Sequence, residues 1–131
     1  MSKTAILCVD DEEIVLTSLK EQIDNHFGNR YRYEVAESAE EAWEVIEELD
    51  AEQIKLVVIV SDWLMPQVKG DEFLIAVHQK FPQVVKIILT GQADDEAIER
   101  ARRDANLYCC LHKPWHEAEL IEAIRSGLET V

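Results

Sequence analysis

Short apolar runs alternate with amphipathic stretches along the whole chain. Residues 5–9 (Ala-Ile-Leu-Cys-Val) are the first run, and they close on the acid pair Asp10 and Asp11. From Glu12 the rhythm changes. Leu16, Leu19, Ile23 and Phe27 recur at three- and four-residue spacing, the single buried stripe of a helix, and Gly28-Asn29 ends it. Residues 31–35 (Tyr-Arg-Tyr-Glu-Val) alternate large apolar with charged side chains, which predicts a strand with a less protected face at a sheet edge. Ser38 and Glu41 form a capping-box pattern, and the helix it opens buries Ala39, Ala42, Trp43, Ile46 and Leu49. The opposite face of that helix is nearly all glutamate, a solvated surface.

The longest apolar run, residues 56–60 (Leu-Val-Val-Ile-Val), passes through Ser61 and stops at Asp62. A β-branched run without polar alternation suits a strand covered on both faces, as in parallel sheets flanked by helices. Asp62 is then delivered to the carboxyl rim of the sheet, where ligands of open α/β sheets bind. Pro66 and Gly70 frame the loop that follows, and Phe73, Leu74, Val77 and Phe81 stripe a third helix closing before Pro82. Residues 84–89 predict a fourth strand ending in Thr90-Gly91. A fourth helix, from about Asp94 to Asp104, offers the core only Ala97, Ile98, Ala101 and Ala105. Small side chains bury little area, so this helix is expected to be anchored more weakly than its neighbours. Residues 108–111 (Tyr-Cys-Cys-Leu) predict a fifth strand leading to Lys113-Pro114-Trp115, with Tyr108 and Cys110 on one strand face. Leu120, Ile121, Ile124 and Leu128 stripe the last helix. Strands alternating with helices across short connections predict an α/β fold, a doubly wound parallel sheet of five strands with helices on both faces.

The 131 residues fit a single domain spanning 1–131, large enough to bury roughly two-thirds of the surface of the unfolded chain. Against 27 acidic residues stand 13 basic ones, a net charge of −14, which argues against a nucleic-acid-binding surface and against adhesion to anionic membranes. No apolar run approaches the roughly 20 residues that span a bilayer, and the first residues lack the apolar segment of a signal peptide, so a cytoplasmic protein is expected. Cys8, Cys109 and Cys110 all fall in predicted strands, and their odd number without framework spacing predicts reduced, buried thiols. His112 and His116 share a helical spacing, but Pro114 lies between them and no ligand set for zinc accompanies them.

Four of the five predicted strands end on a polar group: Asp10 and Asp11, Asp62, Thr90, and Lys113. Crowded carboxylates repel one another and call for a cation. An all-oxygen set suits Mg²⁺, which keeps several waters and takes one or two carboxylates plus phosphate oxygens. A lysine and a hydroxyl on the same rim would meet a phosphoryl group. Mg²⁺ and Lys113 would neutralise its charge while the Asp62 carboxylate attacks phosphorus, giving an aspartyl-phosphate.

With these residues in this order the chain resembles the receiver domains of two-component response regulators. The resemblance covers essentially the whole chain: the acid pair after the first strand, Asp-x-x-Met-Pro at residues 62–66, Thr90-Gly91, and Lys113-Pro114. It implies a flavodoxin-like sheet of order 2-1-3-4-5 and a phosphorelay in which Asp62 accepts phosphate from a histidine kinase or phosphotransfer protein. It implies that Asp11, Asp62 and the backbone carbonyl of Leu64 bind Mg²⁺ directly, that Asp10 acts through water, and that Thr90 and Lys113 hold the phosphoryl oxygens. It further implies a cis Lys113-Pro114 bond and a surface that changes to control an output domain or downstream protein. Lys-Pro-Trp, preceded by Leu107-Tyr108, looks like the receiver subgroup that often precedes a phosphodiesterase or other output domain. Cys110 stands where family members usually carry Tyr or Phe, which sets the usual aromatic switch apart from the phosphorylation chemistry. A Mg²⁺-dependent phosphohydrolase of the haloacid dehalogenase type is a rival reading. It needs a second acid two residues after the nucleophile, and that position is Leu64. A receiver-like binding module that is not phosphorylated is the other rival, set against a full complement of the family's site residue types.

Overall fold

The computed structural model describes residues 3–91 and 95–130. Five strands, β1 (Thr4–Val9), β2 (Arg32–Ala36), β3 (Lys55–Asp62), β4 (Val85–Thr90) and β5 (Cys109–His112), alternate with five helices. The helices are α1 (Glu13–Phe27), α2 (Ala39–Ala51), α3 (Gly70–Lys80), α4 (Asp95–Asp104) and α5 (Glu117–Glu129). All pairings are parallel, and the strand order is β2-β1-β3-β4-β5, the order implied by the resemblance.

Side chains alternate across the sheet, and the two faces carry separate cores. Leu7, Val9, Ile59 and Ile88 pack with residues of α2, α3 and α4, whereas Cys8, Val58, Val60, Ile87 and Leu89 pack with α1 and α5. Both faces are covered at the centre, which is why β3 is buried everywhere except Lys55. The edge assignment of the second strand holds: in β2 Arg32 is exposed, Tyr33, Glu34 and Val35 are half-buried, and Ala36 alone is buried. Ser38 caps α2 by accepting a bond from the Glu41 amide at 3.1 Å, and Glu12 starts α1 as its N-cap. Trp43 is half-buried rather than in the core. Its ring meets Phe73 edge-on, 5.8 Å between centroids, and carries the Lys80 ammonium 5.5 Å above it.

Two expectations change at the other edge. Tyr108 lies outside β5 and does not share a face with Cys110. Its ring packs along α5, where the hydroxyl bonds Ser126 Oγ at 2.7 Å, while Cys110 packs against the α3–α4 side. Cys109 and Cys110 are half-buried because β5 is an edge strand, and only Cys8 is a fully buried thiol; all three are free. For α4 the expected start at Asp94 lies outside the described residues. Ala97, Ala101 and Ala105 are buried as expected, and an ion pair adds to them: Arg100 Nη1 lies 2.9 Å from Asp71 Oδ2 on α3.

Candidate functional site at the carboxyl rim of the sheet

Parallel pairing in register brings the strand ends to one rim. Val9 lies beside Ser61, Asp62 beside Leu89, and Thr90 beside His112, so the residues that close each strand face one another. Asp10 follows β1 and is fully buried; its amide donates to the Ala36 carbonyl at 3.1 Å, which fixes the end of β1 to β2. Asp11, one residue on, is exposed. Asp62 is 5% exposed. Carboxylate oxygens of Asp10, Asp11 and Asp62 lie within 4.8 Å of one another, and they form the group of three metal-capable side chains found among the described residues.

Lys113 reaches into this cluster. Its Nζ donates to Asp10 Oδ2 at 2.7 Å and lies 3.2 Å from Asp62 Oδ1. The Lys113 amide donates to the Thr90 carbonyl at 3.0 Å, and the Lys113-Pro114 bond is cis, as the resemblance implies. Both oxygens of Asp10 are engaged, because Oδ1 accepts the Glu12 amide at 2.8 Å. Thr90 is buried at the end of β4. An open cleft of about 640 Å³ lies over the cluster, lined by Asp11, Asp62, Leu64, Thr90 and Lys113 together with Glu12 and the segment 65–66. All the expected site positions therefore gather at the rim: Asp10 in its floor, the others lining the cleft.

Electrostatics follow from burial and crowding. Asp62 is pushed up from 3.8 to about 6, first by burial and then by the neighbouring Asp10, with Lys113 opposing. For Lys113 burial pulls downward, but the bond and charge of Asp10, then those of Asp62, prevail and hold the ammonium above its ordinary value. One cation against three carboxylates leaves room for a second, and the donors are all oxygen, a set that fits a hard divalent ion such as Mg²⁺.

Sequence patterns missed several residues around this rim. Glu12 lines the cleft, and only the turn made by Asp10 puts it there. Gly70 is pressed against the end of β3: its amide donates to the Trp63 carbonyl at 2.8 Å, and a Cβ would overlap the Asp62 carbonyl oxygen. Its value lay in a contact across eight residues of chain, which no local pattern announces. At Gly91, by contrast, a Cβ would meet only the Lys113 carbonyl oxygen, at 3.9 Å.

Fold and rim together define a class, the receiver domains of phosphorelay signalling. The response regulator receiver domain family matches residues 6–125, and the chain belongs to that family. Its members are typically Mg²⁺-dependent phosphoacceptors and are generally not enzymes. The hydrogenase transcriptional regulatory protein HoxA of Cupriavidus necator is 31% identical over 97% of this chain and 24% of its own length. The C4-dicarboxylate transport transcriptional regulatory protein DctD of Pseudomonas aeruginosa is 27% identical over 98% of this chain and 26% of its own. The chain thus spans about a quarter of the length of these relatives. Among solved structures, the signal receiver domain of an HD domain-containing protein from Pseudomonas fluorescens superposes with a TM-score of 0.85 at 28% identity, covering 99% of this chain and 90% of that one. A CheY-like receiver domain protein from Methanospirillum hungatei gives 0.84 at 28% identity, covering 99% and 96%.

Proposed function

We propose that Asp62 is the phosphoacceptor and that it takes its phosphoryl group from a phosphohistidine on a histidine kinase or phosphotransfer protein. The observation that carries this is the position of the Asp62 carboxylate: nearly buried, open to the cleft, 3.2 Å from the Lys113 ammonium and beside two further carboxylates. A carboxylate oxygen of Asp62 forms the new bond to phosphorus as the histidine nitrogen–phosphorus bond breaks. Asp11, Asp62 and the Leu64 carbonyl would hold Mg²⁺, which supplies charge neutralisation for the phosphoryl oxygens. Asp10, with both oxygens already bonded, fixes Lys113 and would act on the ion only through water. Lys113 and the Thr90 hydroxyl receive the phosphoryl oxygens. The same groups assist the later attack of water that returns Asp62 to its carboxylate.

The phosphohydrolase reading needs an acid at position 64, and Leu64 there presents a half-exposed apolar side chain. One sheet with both cores running through residues 4–129 supports reading 1–131 as a single receiver domain. Its role in the cell is to report to an output domain or downstream protein. HoxA and DctD are named as transcriptional regulators, and the Pseudomonas fluorescens receiver belongs to an HD domain-containing protein. With a net charge of −14 the receiver itself does not contact nucleic acid or membrane, and no helix among the described residues is long and apolar enough to cross a membrane. A cytoplasmic location follows from the kinase as donor. Intact mass after incubation with Mg²⁺ and a small acyl-phosphate tests the acceptor: one phosphoryl adduct is expected on the wild type and none on Asp62→Asn. An equal adduct on the variant would move the acceptor elsewhere.

A further inference from the structure

The residue after Asp62 is held in an unusual number of ways. Trp63 is 7% exposed and turns away from the cleft into the core on the α3–α4 side. Its amide donates to the Leu89 carbonyl at 3.0 Å, and its carbonyl accepts the Gly70 amide at 2.8 Å. Its indole Nε1 donates to Asp71 Oδ1 at 2.9 Å, and the Lys69 ammonium sits 4.8 Å above the ring. Gly70 clamps the start of α3 onto the Asp62–Trp63 peptide, which sets Asp71, the next residue, against the indole.

Asp71 is 1% exposed, and a carboxyl group so buried needs a hydrogen-bond partner on each oxygen. Its second oxygen is bound by Arg100 of α4 at 2.9 Å. One buried carboxylate therefore joins the residue beside Asp62 to the helix that the sheet anchors through small side chains. A pocket of about 250 Å³ lies alongside, lined by Trp63, Gln67, Lys69, Asp71 and Arg100 among others, and gives these side chains room to rearrange.

We propose that Asp71 is a positioning residue that couples the phosphoacceptor site to α4, through Trp63 on one oxygen and Arg100 on the other. The coupling rests on the assignment of Asp62 above. A shift in the 62–64 backbone, when the site is filled, is passed to the indole, from the indole to Asp71, and from Asp71 to Arg100. Because coupling between sites is reciprocal, loosening Arg100 changes the environment of the Trp63 indole as well.

Hydrogen exchange of the α4 amides and the NMR signal of the Trp63 indole N–H test this in wild type, Asp71→Asn, Arg100→Gln and Arg100→Lys. In resting protein, Arg100→Gln and Asp71→Asn are expected to speed exchange in α4 by about three- to tenfold and to shift the indole signal, with Arg100→Lys partly restoring both. After incubation with Mg²⁺ and a small acyl-phosphate, wild-type α4 exchange changes several-fold, and the two disrupting variants show less than about a third of that change while taking up the same phosphoryl adduct. Resting variants indistinguishable from wild type would overturn the tie. An undiminished α4 response in phosphorylated Asp71→Asn and Arg100→Gln would overturn the coupling. Absence of any adduct on the wild type would instead refute the assignment of Asp62, with the tie still decided by the resting measurements.

Discussion

Lys86 sits within β4 with no exposed surface, its Nζ donating to the Val84 carbonyl at 2.7 Å. Burial pulls its ammonium down from 10.5 to about 8. Between those values the unfolded chain keeps a proton that the folded chain has shed, so stability rises with pH across that window. A buried charge replaced by an apolar side chain of similar length is often stabilising. Lys86→Met is accordingly expected to be more stable at pH 7 by about 1–3 kcal/mol, with the gap closing toward pH 10.5, as read from urea midpoints. Parallel pH profiles would show that Lys86 is not strained. Asp62 has the opposite sign. Its folded value of about 6 exceeds the unfolded 3.8, so the folded state holds the extra proton and stability falls as pH rises from 4 to 6. In EDTA, Asp62→Asn should exceed wild type by about 1–3 kcal/mol above pH 6, and the difference should shrink toward pH 4. A variant that gains nothing above pH 6 would mean that Lys113 already compensates the carboxylate.

At the level of elements, the join between β3 and α3 is the tightest. Gly70→Ala would place a methyl against the Asp62 carbonyl and 2.9 Å from Trp63 Cα, both backbone that cannot rotate aside. A loss of about 3 kcal/mol is expected, measured by denaturant unfolding, together with weaker phosphorylation because the 62–64 peptide is displaced. A neutral result would show that α3 can slide along β3. Most elements were legible because each carries its own period. The α1 stripe from Leu16 to Phe27, the apolar run of β3 and the half-buried alternation of β2 all stand where the pattern put them. The site was legible too, since parallel strands that end on Asp10, Asp62, Thr90 and Lys113 must bring those residues to one rim. What stayed hidden depends on contacts between elements. Tyr108 followed α5 rather than the strand period because Gly127 leaves room for its ring, and Ser126 binds its hydroxyl. Nothing in the spacing of Asp71 and Arg100, 29 residues apart, announced the pair that holds α4.

For the whole molecule the governing fact is charge. A net −14 repels itself, so any salt is expected to stabilise the fold somewhat, and a response to Mg²⁺ means little unless it exceeds that background. The rim concentrates the problem, with three carboxylate groups within 4.8 Å and one lysine among them. An ion that binds only the folded state adds RT ln(1 + [L]/Kd), about 1.4 kcal/mol at ten times its dissociation constant. Mg²⁺ should therefore raise the thermal midpoint beyond NaCl at matched ionic strength, and Asp11→Ala should respond to the two salts alike. The pH dependence follows from Asp62, which must be ionised to serve as a ligand. As pH falls through about 6 its proton competes with the ion, and the excess stabilisation by Mg²⁺ should fade there while the NaCl effect persists. Thermal unfolding of wild type and Asp11→Ala at pH 7.5 and pH 5, in each salt, separates the outcomes. Equal midpoints in both salts at pH 7.5, or an undiminished Mg²⁺ excess in Asp11→Ala, would place the stabilising cation on the acidic surface at large and not at the rim.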